Sequence, residues 1–85
     1  MLFFVKQVHT PEHCPVGRGS GPEALFNENA DGVEIRFGIV DATRHTMYFL
    51  VETDDLDAIR NFLAPGIGHC VTEINPVSHL PAFAP

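Results

Sequence analysis

Residues 32–41, GVEIRFGIVD, set Val33, Ile35, Phe37 and Ile39 against Glu34, Arg36, Gly38 and Val40, and HTMYFLVET (45–53) follows directly after Asp41-Ala42-Thr43-Arg44. Alternation with a period of two places successive side chains on opposite faces of an extended chain, and so short a connection permits only antiparallel pairing. A β-hairpin is therefore expected here. It constrains the fold more than any other feature, because the remaining elements must add to its sheet.

Four further segments surround the hairpin. LFFVKQVH (2–9) carries Leu2, Phe4, Lys6 and Val8 on one face and Phe3, Val5, Gln7 and His9 on the other, so bulky apolar groups occupy both faces. Pro22-Glu23-Ala24-Leu25-Phe26 follows Ser20 and Gly21 and predicts a short helix running to about Asn29. Thr53 or Asp54 can cap a second helix, with Leu56, Ile59, Phe62 and Leu63 as its apolar stripe and Pro65-Gly66 as its stop. HCVTEINPVS (69–78) reads as a last strand, which Pro76 limits to an edge position or an irregular end. Between these lie a loop over 10–21, TPEHCPVGRGSG, and a proline-rich tail over 79–85.

The element order is the βαββαβ pattern of the ferredoxin-like α+β fold, a four-stranded antiparallel sheet in the order 4-1-3-2 with helices on one face. Residues 1–85 are expected to form one such domain. A chain of 85 residues buries only about 60% of its unfolded surface, so its private core is small. The second apolar face of the first strand then needs a cover. In element order over residues 2–78 and in this two-faced strand, the chain resembles the small dimeric α/β-barrel families, including stress-responsive barrel proteins. That resemblance implies a homodimer in which two sheets pack face to face, with a cleft able to take a small apolar ligand. Phe3, Phe4, Phe37, Tyr48 and Phe49 would line such a cleft, although aromatics of this kind are usually plain core.

The composition narrows the partners. The formal charge is −6 with five Lys and Arg in all, scattered along the chain, so there is no basic stripe for nucleic acid. No apolar run approaches the roughly 20 residues of a membrane span. MLFFVKQV is too short and too soon interrupted by Lys6 for a signal peptide, which leads to the expectation of a cytoplasmic protein. Cys14 and Cys70 do not make the dense framework of a small secreted domain and read as reduced thiols, a bridge between them being conceivable only after export.

Chemistry concentrates in two places. HTPEHCP (9–15) places His9, His13 and Cys14 close together, and His69-Cys70 opens the last strand. In a 4-1-3-2 sheet the first strand ends where the third and fourth begin, so His9, His13, Cys14, His45, His69 and Cys70 are all expected at one end. Imidazole and thiolate suit Zn²⁺ and Ni²⁺, and thiolate also suits Cu⁺. His9, His13 and Cys14 are the expected principal ligands, with His69 and Cys70 competing for a fourth place because adjacent strand residues point to opposite faces. A strand-start histidine is ordinarily a hydrogen-bonded structural residue, and His45 reads so; Cys70 beside Val71 reads equally as a small buried hydrophobe.

The pairs Val8-His9 and Gly68-His69, with a Glu73-Ile74 strand after the second, are similar to positions in a small ferredoxin-like nickel-binding family. That resemblance implies nickel as the metal, with zinc the other expectation. Three functions follow from these residues. The first is a dimeric transition-metal-binding protein. The second is a small-molecule-binding or enzymatic barrel in which Cys14, with Arg18 nearby, is deprotonated by His9, His13, His45 or His69, the base being oriented by Glu12 or Asp41. The third is a structural or regulatory dimer.

Overall fold

The computed structural model describes residues 1–14 and 21–78, apart from the side chains of His13, Pro22 and Glu23. The expectations for Arg18 and for the proline-rich tail over 79–85 lie outside the described residues. Strands β1 (Leu2–His9), β2 (Glu34–Asp41), β3 (Thr46–Glu52) and β4 (Cys70–Val77) form one antiparallel sheet in the order β2-β3-β1-β4, and helix α1 (Leu56–Leu63) lies between β3 and β4 in sequence. β1 is central, pairing Val8 with Thr46 on one side and His9 with Cys70 on the other.

The helix expected over 22–29 is only a 3₁₀ turn, Pro22–Leu25. Asn27 explains the early stop. Its N–H donates to the Phe62 carbonyl at 2.7 Å, and its side-chain oxygen accepts from the Asn29 N–H at 3.1 Å, so the chain folds back in an Asx turn. With one α-helix where two were expected, the helix side of β4 is thinly covered. A groove lined by Phe3, Leu56, Ile74 and Pro76 remains there.

α1 begins one residue later than expected. Asp55 is the cap, its carboxylate accepting from the Asp57 N–H at 2.9 Å, while Asp54 lies 3.4 Å from the N-terminal ammonium. Ala58, Ile59, Phe62 and Leu63 are the buried face of this helix. They meet Phe3, Val5, Met47, Phe49 and Val51 from the sheet, with Leu25 sealing one side. The Phe26, Phe49 and Phe62 rings pack edge-to-face or tilted at 5.0–5.7 Å.

The hairpin forms, but its alternation does not run straight through. A β-bulge lies between Ile35, which pairs with Val51, and Phe37, which pairs with Leu50. The extra residue reverses the facing of everything after it. Val33 and Ile35 pack on the core, whereas Phe37 and Ile39 point away from it, 41% and 55% exposed. Gly38 takes the core-side place, where a Cβ would stand 3.3 Å from the Phe49 ring. Arg36, at the bulge, pairs with Glu34 and Glu52.

Gln7 is fully buried on the core side of β1, its amide nitrogen donating to the Leu25 carbonyl at 3.3 Å. That contact requires Gly66. A Cβ there would lie 2.6 Å from the Leu25 carbonyl oxygen and 2.8 Å from the Gln7 amide nitrogen.

Candidate metal centre

The end of β1 forms the floor of the site. β1 alternates half-buried and buried residues along its length, so His9 falls on the same face as Val5 and Gln7 and is only 7% exposed. Its backbone N–H donates to the His45 carbonyl at 3.0 Å, which carries the β1–β3 ladder one step beyond Val8 and Thr46.

His45 arrives through a built turn. The 3₁₀ segment Ala42–Arg44 follows β2, and His45 closes it in the left-handed conformation, at φ 51° and ψ 42°. His45 is the one described non-glycine residue with positive φ. Such a backbone is uncommon outside glycine and is found preferentially where structure serves a site. Asp41 stabilises the turn by accepting from the Thr43 hydroxyl at 2.7 Å, and its carboxylate lies 3.7 Å from Arg44. The Thr43 hydrogen bond, aided by Arg44, holds the Asp41 carboxyl below the usual carboxylate range. Thr46 donates its hydroxyl to the Arg44 carbonyl at 2.8 Å. Asp41 is thereby engaged within its own turn rather than directed at an imidazole.

Cys14 completes the group. The 3₁₀ turn Pro11–His13 directly follows β1, and the Cys14 N–H donates to the Pro11 carbonyl at 3.2 Å, which curls the chain back over the strand end. The ligand atoms of His9, Cys14 and His45 all lie within 4.8 Å of one another. At metal–ligand lengths of about 2.0–2.3 Å, two ligands on one ion stand roughly 3.5 Å apart, so side-chain adjustments of about 1 Å would close the site.

The electrostatics favour a neutral His9 imidazole. Burial, and secondarily the charge His45 would carry, holds His9 below the usual histidine range. The two rings meet edge-to-face at 5.2 Å and 80°. Both ring nitrogens of His9 and the Nδ1 of His45 are buried without a hydrogen-bond partner. An unmatched buried polar atom costs about 1–3 kcal/mol, so this arrangement needs a reason. A metal ion bound through one nitrogen of each ring accounts for two of the three, and the donor set fits a transition metal.

The other sequence candidates lie as follows. Cys70 stands opposite His9 in the β1–β4 register and packs against the core, and burial raises its thiol above the usual cysteine range. It is outside the group because His45 and Cys70 flank β1 on opposite sides, about 10 Å apart at two strand spacings. His69 is exposed at the turn before β4, its N–H donating to the Gly66 carbonyl at 2.9 Å. The side chain of His13 is outside the described part of the structure. Cys14 and Cys70 are both free thiols. His45 is the member that sequence reasoning passed over. A histidine immediately after a tight turn, at the strand position facing His9, was the available signal.

Among the described residues, no helix is long and apolar enough to cross a membrane. Comparison of the chain with protein-family models, curated proteins and solved structures finds no match, so the resemblances above rest on the residues quoted for them.

Proposed function

We propose that this protein binds a transition-metal ion through His9, Cys14 and His45, and that it does so as a homodimer. One observation carries the metal reading: a histidine 7% exposed, with neither ring nitrogen hydrogen-bonded, has a thiol and a second imidazole within 4.8 Å. Two imidazoles and a thiolate are suited to zinc, nickel and copper. Elemental analysis of the purified protein and its His9→Ala and Cys14→Ser variants tests it, with metal expected in the first and lost from the others.

The dimer is supported by the sheet face turned away from α1. Phe4, Tyr48 and Leu50 lie at its centre, with the Phe4 and Tyr48 rings stacked at 5.9 Å, and the bulge adds Phe37 and Ile39. Val71 on the same face is 73% exposed. At ~4.8 Å between strands and ~3.4 Å per residue, such a face spans about 500 Å² in projection, the order of size a stable sheet-on-sheet interface needs from each partner. Lys6 stands opposite Glu73, and Arg36 is paired with Glu34 and Glu52, so the charged groups on this face are paired across strands and leave only a small net negative charge.

A metal-free thiol chemistry is the second reading. It is favoured by the half-exposed Cys14 beside a His9 held neutral.

A further inference from the structure

We propose that Gln7 and Thr72 are positioning residues for this site: with the His9 imidazole they form a buried hydrogen-bond network that fixes which ring nitrogen is left to bind the metal. The proposal rests on the metal-binding reading above. It starts from the buried side-chain atoms that have no hydrogen-bond partner among the described residues, namely Gln7 Oε1, Thr72 Oγ1, both His9 ring nitrogens and His45 Nδ1. A metal ion takes one nitrogen from each ring. Gln7 Oε1, Thr72 Oγ1 and the second His9 nitrogen remain, and buried polar atoms of this kind are ordinarily paired.

The sheet places these three atoms on one face. Gln7 and His9 both fall on the core side of β1, and Thr72 stands opposite Gln7 in the register with β4. The His9 N–H turns toward β3, so the backbone of Gln7, two residues earlier, turns the same way. Gln7 and Thr72 are then a pair without backbone hydrogen bonds between them. Pro76, which has no N–H to give, stands opposite Phe3 in the same phase. In such pairs the Cα atoms are only about 4.5 Å apart and the side chains are at their closest. His9 is the diagonal neighbour of Thr72, about 7–8 Å away at Cα, a span that the Gln7 amide or one internal water closes.

The donors and acceptors match. Gln7 Nε2 donates to the Leu25 carbonyl at 3.3 Å, and turning the amide over would set two oxygens against each other, so Oε1 is held as an acceptor on the other side. The Thr72 hydroxyl both accepts and donates, and a neutral imidazole carries one N–H and one lone pair. The His9 N–H therefore goes to Gln7 and Thr72, and the lone pair is left on the nitrogen nearer Cys14 and His45. Histidine ligands generally depend on such a partner for ring orientation and tautomer. It also gives a fully buried glutamine in an apolar core a use that leucine or methionine could not supply. The tautomer is selected before the metal arrives.

The test reads the His9 ring by nitrogen-15 NMR in the full, reduced chain at about pH 8, where an ordinary histidine is neutral. Without metal, His9 should show a single tautomer whose ring N–H exchanges more slowly than that of the exposed His69. Zinc, nickel or copper(I), offered in turn, should perturb the other ring nitrogen and leave that proton in place. Thr72→Val and Gln7→Met should each mix the tautomers and weaken metal binding, read against a chromogenic chelator, by about ten- to a hundredfold. Thr72→Ser, which keeps the hydroxyl, should retain the single tautomer and bind within about threefold of the parent. The spectrum of the unmodified protein needs no variant to fold. A His9 ring that averages between tautomers there overturns the proposal. So does a Thr72→Val variant that binds like the parent, or a Thr72→Ser variant weakened as much as Thr72→Val. A single, slowly exchanging tautomer that none of the three metals perturbs overturns the metal reading, and the positioning role with it, while the hydrogen bonds stand.

Discussion

His9 and His45 are joined twice: the His9 N–H donates to the His45 carbonyl at 3.0 Å, and their rings meet edge-to-face at 5.2 Å. The backbone bond belongs to the sheet and fixes where the two imidazoles stand, whatever the side chains do. Cys14 is brought to them by a single turn of chain. The site is therefore preorganised on two strand ends and completed by a loop residue.

That division predicts how His45 tolerates substitution. Asn accepts the left-handed conformation at φ 51° that His45 adopts, so His45→Asn should change metal-free stability by less than about 0.5 kcal/mol while removing a ligand. Urea denaturation with and without metal checks it: the variant should unfold like the metal-free parent and gain nothing from metal. A metal-dependent rise in its midpoint equal to the parent's would show that His45 is not a ligand.

Acid should destabilise the metal-free protein through His9. The unfolded chain takes up this proton near pH 6.5, whereas the folded chain, with His9 lowered by burial and by His45, takes it up only at lower pH. Stability attributable to His9 is then complete above about pH 6.5, declines as pH falls toward the folded-state value, and levels off once both states are protonated. Urea midpoints measured between pH 7.5 and 5 should fall for the parent and fall less steeply for His9→Asn. Parallel curves would contradict the assignment.

The two thiols should differ in reactivity. Burial raises the Cys70 thiol, while Cys14 lies beside two histidines at the rim of the site. Alkylation followed by mass spectrometry should label Cys14 first in metal-free protein, and metal should slow that labelling without changing Cys70. Equal rates at both cysteines, unaffected by metal, would remove Cys14 from the site.

Gly66→Ala should cost about 1–3 kcal/mol, because the added methyl has backbone on one side at 2.6 Å and the Gln7 amide on the other at 2.8 Å. Thermal unfolding reads the loss. A neutral result would mean that Leu25 and its turn can shift away from β1.

For the dimer, light scattering on the eluting protein should give twice the chain mass. Ile39→Lys, on the bulge-exposed face, should shift it toward monomer with metal binding retained. A monomeric parent would contradict face-to-face packing.

Much of this architecture is legible in the sequence, because period-two alternation and the 3.6-residue stripe of α1 are strong local signals. The joining of the β1 end to the β3 start follows from strand order alone, and it is what brings His9 near His45. Two features were not legible. The bulge at Arg36 leaves the written alternation intact while reversing the faces of Phe37 and Ile39, since register is decided by pairing with β3 and by the room Gly38 leaves for Phe49. The loss of the first helix depends on the Asn27 bond to Phe62, a contact between residues distant in sequence. At the site, His45 was obscured because its position depends on a left-handed turn residue. Cys70 was expected only as a competitor for a fourth place, and a list of residues does not say that it approaches β1 from the side opposite His45.

Metal content decides the central claim most directly. After exposure to copper(I), zinc and nickel and removal of excess, elemental analysis of the unmodified chain should find close to one bound ion per chain, and His9→Ala, Cys14→Ser and His45→Asn should each retain little. The same trace level in all four proteins would mean that the buried imidazoles and the thiol serve some purpose other than holding an ion.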